Sequence, residues 1–280
     1  MLPVLNVLPV CTGSPFNKAA FRSSNCQASE QFVTTLSRIL QKHNFRMKQL
    51  YMVPFERNSV RVKDLRHDYV QTVLDFDATE LPHEFIYVDE AGFNLAKTRH
   101  RGRNVVGQRA VVNVPWQCGG NITLFAAIIV QGVLHHHATL DPYNTGQIIA
   151  FLDALDAVVQ DRPQQPLFVV IWDNVSFHRA ALVRDWFNNH NHFTLLYLPP
   201  YSPFLTAIKK FFSVWRWKVY DRQPHARMTL LQAMEEACGD IEVGSIRGWI
   251  LHTRLYFPRC LAREDVDEVL WPDPNRRRDP

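Results

Sequence analysis

The sequence predicts an α/β protein built on a mixed β-sheet flanked by helices. Three observations carry that reading. Apolar β-type runs come early and close together: Phe85 to Val88, residues 109–115, Ile122 to Val130 and Val133 to Leu140, with Gly119-Gly120 and Gly132 as turns. From residue 145 onward, strand-like runs alternate instead with stretches of helical period. Leading hairpins followed by βαβ-type units give a sheet that is part antiparallel, part parallel, with helices on both faces.

In order along the chain, residues 1–28 show little periodicity and read as an irregular segment. Val33, Leu36, Ile39 and Leu40 fall at helical spacing, in a basic helix extending to Leu50. Val60 to Phe76 reads as a second helix, with Val62, Leu65, Tyr69, Val70, Val73 and Leu74 on its apolar side, stopped by Leu81-Pro82. The four strand runs follow. Thr145 is placed to cap a helix from Gly146 to about Asp161. Leu167 to Trp172 is a strand, His178 to His190 a helix, and Phe193 to Leu198 a strand stopped by Pro199-Pro200. Phe204 to Tyr220 is an aromatic-rich helix whose stripe Leu205, Ile208, Phe212, Trp215 and Val219 belongs in a core. Helices near 229–238 and 245–255 precede a polar, basic end.

A chain of 280 residues suits one large domain with at most a small appendage. A net charge of +4 permits nucleic acid as a partner without requiring it. The five cysteines, Cys11, Cys26, Cys118, Cys238 and Cys260, are widely spaced and form no C-x-x-C pair, which argues against a zinc ribbon or disulfide framework. No apolar run is long enough to span a bilayer. The apolar opening lacks a positive start and is broken by Pro3 and Pro9, so it is not read as a signal peptide. The expectation is an intracellular protein with no membrane partner. His135, His136 and His137 invite a metal reading, but alternate strand residues point to opposite faces, so a structural role is favoured.

Two apolar strands run directly into acids, at Asp89 and at Asp173. Acids in such positions are seldom buried without a partner, and sites in α/β sheets form at strand ends. Phosphodiester cleavage builds charge on the attacking and leaving oxygens, which a pair of divalent ions can stabilise. Magnesium takes hard oxygen ligands, so a centre of this type needs several carboxylates. A strand-end aspartate is also often a turn or cap residue, so two of them do not define a metal site.

Three ordered blocks are more specific. They are Val88-Asp89-Glu90-Ala91-Gly92-Phe93, Trp172-Asp173-Asn174-Val175-Ser176-Phe177-His178, and Leu198-Pro199-Pro200-Tyr201-Ser202-Pro203-Phe204-Leu205. Together they resemble the catalytic core of the Tc/mariner superfamily of DDE transposases and its bacterial insertion-sequence relatives, over roughly residues 30–263. The resemblance implies a ribonuclease-H-like fold, Mg2+ (or Mn2+) as cofactor, and transposon-end DNA as substrate for nicking, strand transfer and integration. It implies Asp89 and Asp173 as the first two catalytic, metal-binding acids. The family continues the third block with Asn-Pro-Ile-Glu, where the Glu is the third acid; this chain reads Thr206-Ala207-Ile208-Lys209. The spacing is kept, so Lys209 stands at the third acid's position. An ammonium offers no oxygen ligand and repels a cation, so metal binding is expected to weaken or vanish and catalysis with it. Asp221 and Glu235 lack the offset to replace the lost acid.

The resemblance also divides the chain: 1–28 irregular; 29–80 a helical remnant of a helix-turn-helix DNA-binding region; 81–263 the core; 264–280 a polar tail. Upstream family helices are not recognisable, so specific end recognition is expected to be crippled, and the family's dimer becomes only a possible homodimer. General DNA binding is expected through Arg38, Lys42, Arg46 and Lys48 in the basic helix, and through Lys97, Arg99, Arg101, Arg103 and Arg109 after the first strand. The resulting reading is an inactive, transposase-derived DNA-binding protein, nuclear by location. Two alternatives stand beside it: an active metal-dependent nuclease using Asp89 and Asp173, and an interaction module with no DNA role.

Overall fold

The structure, a computed structural model, describes residues 54–93, 122–139, 144–163, 166–175, 178, 180–222 and 227–266, together with 35, 38, 39 and 41–43. The chain divides into two compact units, Met1–Met52 and Val53–Pro280. In the first, helical backbone is described at Thr35, Arg38, Ile39, Gln41 and Lys42. The rest of the basic helix, the expected strand at 109–115 and both chain ends lie outside the described residues.

The second unit holds helix α1 (Val60–Ala78), strands β1 (His83–Phe93), β2 (Ile122–Ile129) and β3 (Gly132–Thr139), then helix α2 (Thr145–Gln160). Strand β4 (Leu167–Trp172), helix α3 (Ala181–Asn189) and strand β5 (Phe193–Tyr197) follow. Helices α4 (Ile208–Asp221), α5 (Arg227–Gly239), α6 (Val243–Arg254) and α7 (Phe257–Leu261) complete it. The strand order is β3-β2-β1-β4-β5. The pairs β1–β2 and β2–β3 are antiparallel, while β1–β4 and β4–β5 are parallel. This is the mixed sheet the sequence predicts. No helix among the described residues is long and apolar enough to cross a membrane.

Alternation along each strand sends side chains to two cores. Phe85 and Tyr87 of β1 and Val169 and Ile171 of β4 share one core with Tyr69, Val70 and Val73 of α1 and Phe211, Phe212 and Trp215 of α4. Ile86 and Val88 of β1 and Phe168, Val170 and Trp172 of β4 share the other with Ile148, Leu152 and Leu155 of α2 and Val183 and Trp186 of α3. Helix α1, grouped by sequence with the helical N-terminal region, thus packs on the sheet. His135 lies on edge strand β3 with its ring 4.9 Å from that of Phe151, consistent with a structural role.

Several expected boundaries move. The cap of α2 is Asn144, not Thr145: its side chain accepts from the Gln147 N–H at 3.0 Å, and the Gln147 side chain accepts in return from the Asn144 N–H. Such a capping box satisfies two otherwise orphaned donors. Asn144→Ala is expected to lower stability by about 1 kcal/mol in chemical denaturation. Helix α3 begins at Ala181 instead of His178. The expected helix from Phe204 is instead a 3-10 turn, Pro203–Leu205, followed by extended Thr206, with α4 starting only at Ile208. Lys209 therefore lies in the first turn of α4.

Candidate functional site

Asp89 is not at a strand end, as the sequence suggests, but within β1, which continues to Phe93 against β2. It lies where the parallel pairing with β4 stops. The last paired residues there are Tyr87 and Ile171, and extending the register by two sets Asp89 beside Asp173. Both follow the alternation that faces the α1 and α4 side of the sheet. Asp89 is buried at 2% exposure, and Ala126 of β2 flanks it on the other side. Asp173 is half-buried.

The start of α4 brings Lys209 to this pair. Its Nζ forms an ion pair with Asp89 Oδ2, while the Lys209 side chain remains 41% exposed. The position at which the resemblance expects a third acid thus carries a cation paired with Asp89. Burial pushes the Asp89 carboxyl up to about 6, against the pull of Lys209 and with the charges of Glu90 and Asp173 adding to the rise. Asp221 sits at the far end of α4, about three turns from Lys209. It does not supply the missing acid.

Asp173 has a separate partner. His178, fully buried, places Nδ1 2.6 Å from Asp173 Oδ1 and Nε2 3.2 Å from Glu90 Oε2. Its ring stacks on Trp172, 4.1 Å between centroids. Its carbonyl accepts from the Tyr197 hydroxyl at 2.9 Å. Burial pushes the imidazole down, but the hydrogen bonds and charges of Asp173 and Glu90 prevail and raise it to about 9. Burial likewise pushes Asp173 up, but His178, Lys209 and the Val175 N–H together hold it below the usual carboxylate range. An imidazolium with a donor toward each carboxylate satisfies this geometry.

Sequence reasoning assigned no role to Glu90 or His178, although both lie inside the blocks that point to Asp89 and Asp173. The available signal was a histidine five residues after a strand-end aspartate. Among the basic residues expected to meet DNA, Arg38 and Lys42 are described and exposed, in the unit Met1–Met52. Arg46, Lys48, Lys97, Arg99, Arg101, Arg103 and Arg109 lie outside the described residues. A cavity of about 590 Å³ lies at the start of β1, lined in part by Glu84, Phe85, Arg162 and Arg254. Four of its lining side chains pair with one another, Arg162 with Glu84 and Arg254 with Asp77.

A divalent cation needs hard, anionic oxygens. The two aspartates already carry protein cations, Lys209 on one and His178 on the other. Among the described residues, no group of three or more His, Cys, Asp or Glu is arranged to hold a metal ion. As placed, Asp89, Asp173 and Lys209 do not fit a two-ion phosphodiesterase centre.

The sequence model of a family described as DDE superfamily endonuclease matches residues 84–232. No curated protein matches the chain. Among solved structures, the "Mos1 mariner paired end complex with Mn" superimposes with a TM-score of 0.65 at 18% identity, covering 92% of this chain and 83% of that one. The "Mos1 transposase paired-end complex with left transposon end" gives 0.62 at 18% identity, covering 89% and 81%. The "Mos1 transposase catalytic domain and Raltegravir with Mg" gives 0.59 at 16% identity, covering 75% of this chain and 98% of that one. At these identities the likeness establishes the fold: the ribonuclease-H-like sheet with its flanking helices.

Proposed function

The chain belongs to the DDE superfamily endonuclease family, and from that premise we propose that it is a transposase-derived DNA-binding protein that does not cut DNA. The observation that carries this is Lys209, at the third acid's position, ion-paired to Asp89. Cleavage by this family's chemistry would call for metal ions ligated by carboxylates on both sides of the scissile phosphate. Here one ligand is replaced by an ammonium and a second is bound to it. DNA is the proposed partner because one of the similar Mos1 structures is a paired-end complex with a transposon end, and because exposed Arg38 and Lys42 offer phosphate contacts. A nuclear location, a possible homodimer and the division into residues 29–80 and 81–263 belong to the same proposal.

The test is plasmid nicking with Mg2+ and Mn2+, on supercoiled DNA that needs no end recognition. The chain itself is expected to stay at background. Lys209→Glu is expected to nick, and adding Asp173→Ala to it is expected to abolish the activity. Nicking by the unmodified chain that depends on Asp89 and Asp173 would reject the inactive reading. DNA binding is checked by titration at several salt concentrations, where affinity should fall linearly on a log–log plot; binding insensitive to salt would remove phosphate contact from the proposal.

A further inference from the structure

We infer that Lys209 is a built-in counter-ion: its ammonium neutralises the buried Asp89 carboxylate in the role a divalent cation would otherwise fill, so the strand ends need no metal to stay folded. The inference rests on the disabled-site reading but concerns stability and cation uptake instead of cleavage.

Asp89 is placed where an unpartnered charge is hard to sustain. It is buried, it pairs with β2 just beyond the last residues paired with β4, and Glu90 and Asp173 both oppose its ionisation. A buried carboxylate in that position needs a cation or must take up a proton. Lys209 is the cation that acts on it. The neighbouring acid, Asp173, has its own close partner in His178, and Lys209 acts on it as well. The cluster therefore sets three carboxylates, Asp89, Glu90 and Asp173, against two protein cations, Lys209 and His178. A divalent ion entering through Asp89 would have to displace a tethered ammonium that is present at a far higher effective concentration than a free ion. Glutamate at 209 reverses the situation: four carboxylates face one imidazolium, and the cluster acquires both a reason and the oxygen ligands to bind a divalent cation. The substitution that removes catalysis thus also preserves the fold in the absence of metal.

The experiment is thermal unfolding in EDTA and in Mn2+ of the full chain, Lys209→Met, Asp89→Asn, the double variant, and Lys209→Glu. In EDTA, Lys209→Met is expected to melt about 5 °C below the chain, because it leaves a buried carboxylate without its cation. Adding Asp89→Asn should recover most of that loss, as coupling between contacting partners requires. The unmodified chain should melt at the same temperature with or without Mn2+. Lys209→Glu should be the least stable in EDTA and regain about 5 °C in saturating Mn2+, since a ligand that binds only the folded state raises its stability.

Two results would overturn the inference. One is a saturable Mn2+ stabilisation of the unmodified chain that Asp89→Asn removes. The other is a Lys209→Met loss that Asp89→Asn does not relieve. If Lys209→Glu fails to fold even with Mn2+, the Met and Asn cycle still decides. The outcomes separate from those of the nicking assay. A chain that nicks yet shows no metal shift would keep the counter-ion and reject the inactive reading. A chain stabilised by Mn2+ through Asp89 that does not nick would do the reverse.

Discussion

Arg66→Ala is expected to destabilise the protein by about 1–3 kcal/mol in urea unfolding, the cost of leaving buried hydrogen-bond acceptors without their donor. Arg66 is 1% exposed. Its Nε donates to Ser202 Oγ at 2.8 Å, Nη1 to Asn58 Oδ1 at 3.3 Å and Nη2 to the Tyr201 carbonyl at 3.3 Å. Its guanidinium lies 5.2 Å from the Phe204 ring centroid. Asn58 Oδ1 also accepts from the Val266 N–H at 3.2 Å. One side chain thereby joins α1, residues 54–58, the Pro-Tyr-Ser-Pro turn and the end of the described chain. Within that turn Tyr201 has a φ of 54°, a left-handed conformation that non-glycine residues rarely adopt. Such a conformation persists where the surroundings over-determine it, and the Arg66 contacts to Tyr201 and Ser202 help to do so. The turn leads directly to α4 and so to Lys209. Arg66→Lys should recover less than half of the loss, because one ammonium cannot reproduce a three-donor planar fork. A loss below about 1 kcal/mol for Arg66→Ala would place it with ordinary surface changes and reject this role.

Arg66 also shows where sequence reading stopped. The helical pattern of α1 was legible, and positions 62, 66, 69, 70 and 73 form its buried face. Residue type places Leu65 on that face and Arg66 off it, whereas spacing places Arg66 on it. In the structure Leu65 is 38% exposed and Arg66 is buried. Spacing was the better guide, and the charge is tolerated because three acceptors and an aromatic face meet it. The strands Ile122–Ile129 and Leu167–Trp172 were read closely for the opposite reason. Apart from Thr123 both are apolar, and nearly all their residues are buried whichever face they point to, so residue type and period agree.

The site was legible in proportion to how local its signals are. Asp89 and Asp173 each follow an apolar run, and Lys209 is fixed by its distance from the Pro-Tyr-Ser-Pro string. What brings them together, the parallel register of β1 and β4, is a long-range property that no local pattern encodes. The sequence places the start of α4 four residues early, at Phe204, where the chain instead makes one 3-10 turn and an extended residue before the helix forms. That detour puts Lys209 in the first helical turn, where its side chain reaches β1. The His178 clamp was missed because its two carboxylates come from different strands, five and 88 residues away in sequence.

That clamp makes stability depend on pH in a definite direction. The folded imidazole, at about 9, lies above its ordinary 6.5. A group raised on folding contributes fully below its unfolded value and loses the contribution as pH rises through the folded one. The His178 contribution should thus be complete below pH 6.5 and gone above about pH 9. The separation corresponds to about 3 kcal/mol. Other groups titrate over the same interval, so the measurement is a difference: urea unfolding of the chain and of His178→Asn at pH 6 and pH 10, both in EDTA. Asparagine can donate to one carboxylate but cannot carry the charge that holds both. At the lower pH the variant should be less stable by about 4 kcal/mol, the charge-linked contribution together with the lost stack on Trp172. At the higher pH the gap should shrink to what the lost stack on Trp172 contributes, about 1 kcal/mol. The ring itself should titrate near 9 in an NMR experiment. A gap of equal size at both pH values would mean that His178 is held by packing alone. Asp173 would then lack its protein cation, and only Asp89, through Lys209, would be neutralised from within the chain.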